Sequence, residues 1–338
     1  MIGYKKRHMK RYSIGFLLCA LLITACGKED GDIKAAADGA DGKVSAKVTT
    51  VLNWFAQSEH GGLYTALEEG IYKEAGLEMT LQPGGPQISA TQIVASGKAE
   101  FGMGQADEIL MARQNGIPVV AVFAIFQKSP QGLMVHSDAN VDSMEGLKGK
   151  TVYVAGAAAY WEYMKKAFNL EDTTQMAYTG SMAPFLADKN VAQQGYVTSE
   201  PFEMKQQSVD VDFLLNADYG YAPYGNVLYT TEEYLEKNPD VVKAYVEATA
   251  KGFESFKMNY EQIIPAIQKA NPDMSAEKLT FAAETMIPLV FEGDAETHGV
   301  GYMTKERWEE LAKQMTDIGM LKSMPDVTEA YTIQFFTK

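Results

Sequence analysis

From Lys47 to Asp218 the chain repeats one pattern: a short apolar run, then a segment whose apolar residues recur every three to four positions, then a turn signal. Strand and helix alternating at this spacing build parallel sheets, because two parallel strands must be joined by a crossover long enough to hold a helix. The pattern predicts strands over 48–54, 77–81, 99–103 and 118–126. Helices fall over 62–74, around Ile93 and Val94 with Ser89 as N-cap, and over 107–114. The last strand is almost continuously apolar, as expected where both faces are covered. A second series begins at Gly132, with strands over 133–135, 151–155, 175–178, 195–197 and 213–215 and helices over 160–168, 182–188 and 202–207. Beyond Asp218 one short strand, 226–229, precedes helices over 239–257, 276–287 and 305–318. In the first of these Val242, Tyr245, Val246, Thr249, Phe253 and Phe256 recur at helical spacing. The fold class is therefore α/β. Residues 47–128 and 219–338 form one lobe and residues 129–218 the other, each a mostly parallel sheet flanked by helices, with crossovers near Lys128 and Asp218. A small ligand belongs in the cleft between two such lobes.

The first 25 residues read as an address. Lys5, Lys6, Arg7, Lys10 and Arg11 precede an apolar run from Tyr12 to Ile23, a charge-then-apolar order typical of a secretory signal and too short to span a bilayer comfortably. The run ends in Ile23-Thr24-Ala25-Cys26, which resembles the bacterial lipobox. That resemblance implies diacylglyceryl attachment at Cys26 and cleavage before it; an ordinary signal peptide cut near Ala25 is the alternative. Residues 26–46, rich in Gly, Asp, Lys and Ala, then form a flexible tether. The expectation is an exported body, soluble in itself and lipid-anchored to the cell membrane.

Charge and cysteine content exclude several functions. The chain has 44 acidic against 30 basic residues, a formal charge of -14, and removal of the signal segment takes five basic residues and no acidic one. Binding to nucleic acid relies on clustered Lys and Arg, so no nucleic-acid partner is expected. The two cysteines, Cys19 and Cys26, both precede the folded body. That leaves the body no disulfide, thiolate metal site or iron-sulfur cluster. No His or carboxylate cluster has metal-ligand spacing, so neither metal nor cofactor is expected.

Leu52-Asn53-Trp54, His60-Gly61-Gly62-Leu63-Tyr64, Ala75-Gly76-Leu77, the stretch from Ala95 to Phe101, Leu147-Lys148-Gly149-Lys150 and Glu200-Pro201-Phe202 come in an order that resembles a family of periplasmic binding proteins. These proteins are related to yeast thiamine-pyrimidine synthase and to bacterial nitrate and sulfonate binders. The resemblance implies a two-lobed type II periplasmic binding fold, a monomer, and a non-enzymatic role delivering a small molecule to an ABC permease. The stretch from Asp218 to Tyr224 is similar to that of the pyrimidine-precursor binders, which points to a flat polar heterocycle. A nitrate, sulfonate or other organic anion is the alternative ligand. An enzyme of pyrimidine synthesis is the alternative of another class, weakened by the missing cysteines.

The candidate ligand-binding residues follow from these placements. Trp54 ends the first strand, where its ring can stack on a flat heterocycle. Asn53 stands where the pyrimidine binders often have aspartate, keeping a polar acceptor without the charge. His60 is a ligand contact or a loop hydrogen-bonder; the yeast enzyme consumes a histidine at this place. Gln105 opens a helix after the third strand, with Asp107 as the expected helix cap. Phe126 and Gln127 occupy the equivalent strand end at the first crossover. Gly156 and Ala157 form the matching small-residue loop of the second lobe, with Trp161 just beyond. Glu200 starts a helix after an apolar strand, where its carboxylate can accept from a pyrimidine amino group or interact with the helix dipole. Asp218, Tyr219 and Tyr221 lie at the second crossover, as an aromatic wall or as hinge packing.

Overall fold

The computed structural model describes residues 46–156 and 158–336. The signal segment, Cys26, most of the tether and Ala157 lie outside the described residues. The first series runs β1 (Ala46–Val51), α1 (Gly61–Glu68), α2 (Ile71–Glu74), β2 (Leu77–Gln82), α3 (Ala90–Ala95), β3 (Phe101–Gly104), α4 (Ala106–Gln114) and β4 (Val119–Phe126). The second runs β5 (Gln131–His136), β6 (Thr151–Val154), α5 (Ala159–Phe168), β7 (Thr174–Ala177), α6 (Ala183–Ala187), β8 (Val191–Tyr196), α7 (Glu200–Gln206) and β9 (Val211–Leu215). Then come β10 (Gly225–Thr231), α8 (Glu232–Lys237), α9 (Pro239–Ala270), α10 (Ala276–Phe291), α11 (Asp294–His298) and α12 (Lys305–Asp317).

Local chemistry accounts for the boundaries. Ser89 Oγ accepts the Gln92 N–H at 3.3 Å and so caps α3. The helix expected over 62–74 is two, because Gly70 sits between them at φ 76, in the left-handed region that ends a helix. α9 runs on past Lys257 to Ala270, bending at Asn259 (φ -138), because Ile263, Ile264 and Ile267 continue its buried stripe.

The ten strands form two five-stranded sheets, in the orders β2-β1-β3-β10-β4 and β7-β6-β8-β5-β9. β1 is parallel to β2 and β3, and β6 to β7 and β8. One strand in each sheet runs antiparallel to both neighbours: β10 between β3 and β4, β5 between β8 and β9. Both arrive from the other sheet, so each sheet is completed by the strand that follows a crossover. The crossovers are residues 127–130 and 216–224.

Two large cores result. One lies under the first sheet, where α1 and α9 approach so closely that a Cβ on Gly252 would stand 2.2 Å from the Gly62 carbonyl oxygen. Phe101 stacks on Tyr245 there, with ring centroids 3.8 Å apart. The second core is continuous from α4 and α12 through the crossovers to α5, and contains Trp161, Trp308, Tyr221 and Tyr224. Among the described residues no helix is long and apolar enough to cross a membrane.

Candidate functional site

Asn53 and Trp54 follow β1, Gln105 follows β3, Gly156 follows β6, Tyr196 ends β8 and Glu200 opens α7. These are carboxyl ends of strands in both sheets, the place where open α/β sheets hold ligands. There they surround two adjoining cavities, of about 500 and 580 Å³, that share Asn53, Gln105, Glu108 and Gln131 as walls. Trp54 and Phe55 on the first-sheet side, and Tyr178, Tyr196 and Glu200 on the second-sheet side, line the smaller one. Trp54 keeps 37% of its surface exposed and meets Phe55 edge-on at 5.8 Å, which leaves it area for a flat partner.

A chain of amides and rings floors the cleft. The Gln57 N–H points to His60 Nδ1 at 3.3 Å, which makes Nδ1 the acceptor and leaves the proton on Nε2, donated to Asn53 Oδ1 at 2.9 Å. Asn53 Nδ2 donates to Asn226 Oδ1 at 3.1 Å, and Gln105 Nε2 donates to the same oxygen at 3.2 Å and to the Tyr196 hydroxyl at 2.8 Å. The last contact joins the two halves. Asn226 takes its place at φ 45, a left-handed conformation that asparagine tolerates better than most residues.

The carboxylates are held symmetrically. Glu200 accepts the Tyr196 N–H at 2.7 Å and the Tyr178 hydroxyl at 3.2 Å, and burial pushes its pKa up to about 7. Glu108 accepts the Gln105 N–H at 2.9 Å; burial, then the neighbouring Asp107, push it up to about 7 as well. Burial lowers His60 to about 3, so its ring is neutral. Asp107, Glu108, Glu200, Glu203 and Asp273 border the two cavities, and Lys278, the one cation among the described lining residues, is paired with Glu203. Among the described residues no three His, Cys, Asp or Glu side chains are grouped to hold a metal ion.

Of the residues expected from sequence, Asn53, Trp54, Gln105, Gly156 and Glu200 line the cavities. The other described candidates do not: the expectation of a cleft position is corrected for Phe126, Gln127 and Trp161, while His60 and the residues of the second crossover take the alternative roles of loop hydrogen-bonder and hinge packing. His60 has no exposed surface and supports Asn53 from behind. Phe126 is wholly buried in β4, within the core of the first sheet. Trp161 is wholly buried too, its Nε1 donating to Gln175 Oε1 at 3.1 Å. Gln127 donates to the Tyr302 carbonyl at 3.0 Å, Asp218 pairs with Lys128 at 2.5 Å, Tyr219 meets Phe168 edge-on, and the Tyr221 hydroxyl donates to Asp107 at 2.9 Å. These four fasten the crossovers. Asp107 is two positions too late to cap α4, where Gln105 is the N-cap.

Sequence reasoning missed Tyr178, Tyr196, Glu108, Gln131 and Asn226. For Glu108 a signal existed: its spacing from Gln105 is that of a capping box, and that reciprocal arrangement is present. Nothing local marked the others, since each reaches the cleft through its place in the sheets.

Comparison with known proteins agrees with this architecture. The riboflavin-binding protein RibY of Chloroflexus aurantiacus is 26% identical over 341 residues, covering 94% of this chain and 95% of that protein. A formylaminopyrimidine-binding protein of Halalkalibacterium halodurans is 23% identical, covering 90% and 92%. A 4-amino-5-hydroxymethyl-2-methylpyrimidine phosphate synthase of Legionella pneumophila is 20% identical, covering 86% and 93%. Among solved structures, the periplasmic aliphatic sulphonate binding protein SsuA of Escherichia coli superposes with a TM-score of 0.66 at 14% identity, over 84% of this chain and 91% of that one. The fold is thus that of periplasmic binding proteins. The family profile described as NMT1/THI5 like matches residues 57–262, well over half of the chain, which therefore belongs to the NMT1/THI5-like family.

Proposed function

We propose that this protein is the solute-binding component of an ABC importer, capturing a small, flat, polar heterocycle rich in hydrogen-bond donors and passing it to the permease. The observation that carries the reading is the chemistry of the cleft: Trp54 and Tyr178 offer ring faces, Glu200 and Glu108 offer acceptors, and the single lysine is already paired. A carboxylate-lined site repels anions and rewards donor groups, since a hydrogen bond to a charged acceptor is worth about 1.5 to 3 kcal/mol. Binding of a nitrate or sulfonate is disfavoured by the same groups. The names of the riboflavin-binding and formylaminopyrimidine-binding relatives fit a heterocycle.

In this reading catalysis is absent. His60, at the place of the histidine that the yeast enzyme consumes, is enclosed and engaged at both ring nitrogens. The chain is exported as a monomer, anchored through a lipid on Cys26, and held off the membrane by the tether.

Calorimetric titration with an aminopyrimidine, a flavin and an alkanesulfonate tests the ligand class. Saturable binding of either heterocycle with none of the sulfonate is expected, and the opposite result refutes the reading. Cys26→Ser is expected to release the protein from the membrane fraction with its fold intact; unchanged fractionation and processing would show that no lipid is attached there.

A further inference from the structure

The ring site described above occupies only one of the two compartments. The larger, of about 580 Å³, lies between the start of α3, the length of α4 and the loop from β6 to α5. A single pocket of about 300 to 1,000 Å³ buries most of a drug-sized ligand. Two adjoining compartments of about 500 and 580 Å³ are therefore more than a one-ring molecule fills.

The walls of the larger compartment say what enters it. Its polar groups include those of Thr91, Gln92, Asn115, Tyr160, Tyr229 and Glu108, set among apolar side chains such as Met103, Met111 and Met320, and none of its described lining residues is Lys or Arg. Thr91 Oγ1 lies 3.1 Å from the Tyr229 hydroxyl. Two hydroxyls in mutual contact use one proton between them, so the other proton and the remaining lone pairs are left for a third group. Tyr160 gives its proton to Gln194 Oε1 at 2.7 Å and so faces a ligand as an acceptor. An anionic end group would meet Asp107 and Glu108 with no cation to offset them. A hydrocarbon chain would strip water from the hydroxyls and the carboxylate without replacing its hydrogen bonds, at a cost of about 1 to 3 kcal/mol for each group left unpaired. An uncharged chain bearing several hydroxyls meets both constraints, for each hydroxyl donates once and accepts twice.

We propose that the ligand is bipartite: a flat ring held beside Trp54 and Glu200, and an uncharged polyhydroxylated chain that passes the Gln105–Tyr196 bridge into the compartment between α3 and α5. The inference rests on the heterocycle reading and narrows it to ring-polyol conjugates without a phosphate.

Four probes test it by calorimetry and fluorescence quenching: riboflavin, which joins a ring system to a neutral polyol; flavin mononucleotide, the same with a terminal phosphate; lumichrome, the ring system without the chain; and a formylaminopyrimidine. Riboflavin is expected to bind at least tenfold more tightly than either lumichrome or flavin mononucleotide. In Thr91→Val, which keeps the side-chain shape and loses the hydroxyl, the preference for riboflavin over lumichrome is expected to fall at least threefold. Lumichrome or flavin mononucleotide binding as tightly as riboflavin overturns the proposal, as does an unchanged preference in Thr91→Val. Binding of the pyrimidine alone overturns the bipartite ligand and leaves the heterocycle reading standing. If none of the four binds while an alkanesulfonate does, the heterocycle reading itself falls.

Discussion

His60 and Glu200 are both polar side chains taken out of water, with opposite consequences. His60 keeps its ring neutral because burial disfavours the charged form, lowering it to about 3. The unfolded chain takes up a proton at this ring below about 6.5 and the folded chain does not, so this residue costs stability as the pH falls from about 6.5 towards 3. Denaturant unfolding at pH 7.5, 5.5 and 4.5 checks this. His60→Gln is expected to start about 1 to 3 kcal/mol lower, from the hydrogen bonds it loses, and to lose less than the wild type on acidification. The buried carboxylates oppose the trend equally in both proteins, so the difference between the two isolates the imidazole. Glu200 is pushed up to about 7 and is a charged acceptor, with both oxygens free of a proton, only when ionised, so heterocycle affinity is expected to weaken as the pH falls through 7. Glu200→Gln should cost about 1.5 to 3 kcal/mol of heterocycle binding. Trp54→Ala, losing a stacking face, costs about 0.5 to 1.5 kcal/mol beyond the lost contact area. Titration calorimetry on both variants gives the ranking, and sulfonate binding gained by Glu200→Gln would argue for an anion cleft instead.

Each sheet builds its carboxylate with the same element. β3 ends at Gly104, where a Cβ would stand 2.6 Å from Glu108 Oε2; β8 carries Gly195, where a Cβ would stand 2.7 Å from the Glu200 carboxyl carbon. β3 and β8 hold equivalent positions in their sheets, and in each case a glutamate from the first turn of the next helix folds back over a glycine. Gly195→Ala is therefore expected to displace the end of a flexible side chain, reducing ligand affinity about as much as Glu200→Gln with little loss of stability. Gly252→Ala meets the Gly62 carbonyl at 2.2 Å, and backbone cannot swing aside. Overpacking of this kind costs about 1 to 3 kcal/mol, with ligand affinity unchanged. Thermal unfolding and ligand titration of the two variants should separate the effects. Boundaries set by local chemistry, such as the Ser89 cap, were legible in the sequence. The break of α1 from α2 was not, because a helical period survives a single left-handed residue.

Across the whole molecule, the two halves share the core that runs through the crossovers at one edge, and away from that edge they meet through individual side chains. Thr198 Oγ1 donates to the buried Glu59, Lys278 pairs with Glu203, Phe202 lies against Phe281, and Gln105 reaches Tyr196. Arg307 fastens the crossovers, donating to the Gln127 carbonyl at 2.6 Å and the Ala222 carbonyl at 3.2 Å. A shared core and two tied strands of chain at one edge, with individual side-chain contacts away from it, favour hinge closure driven by groups that touch the ligand from both sides. Small-angle scattering is expected to report compaction at saturating ligand, and Lys278→Ala to give a more expanded profile in the empty protein. An unchanged profile in both experiments would count against a hinge.

Sequence alone determined the alternation of strands and helices, the acidity of the chain, and the placement of Asn53, Trp54, Gln105 and Glu200 beside strand ends. Each of these is a local property, readable from periodicity, charge or a turn residue. Only the tertiary structure decided which aromatic rings see the cleft. Trp161 and Phe126 share their apolar character with Trp54 and Tyr178, yet the first two are sealed in cores and the second two line a cavity. Periodicity reports that one face of an element is covered, not what covers it. In this protein the answer comes from residues distant in sequence, such as Asn53 with Asn226 and Gln105 with Tyr196, brought together only when the strand after each crossover enters its sheet.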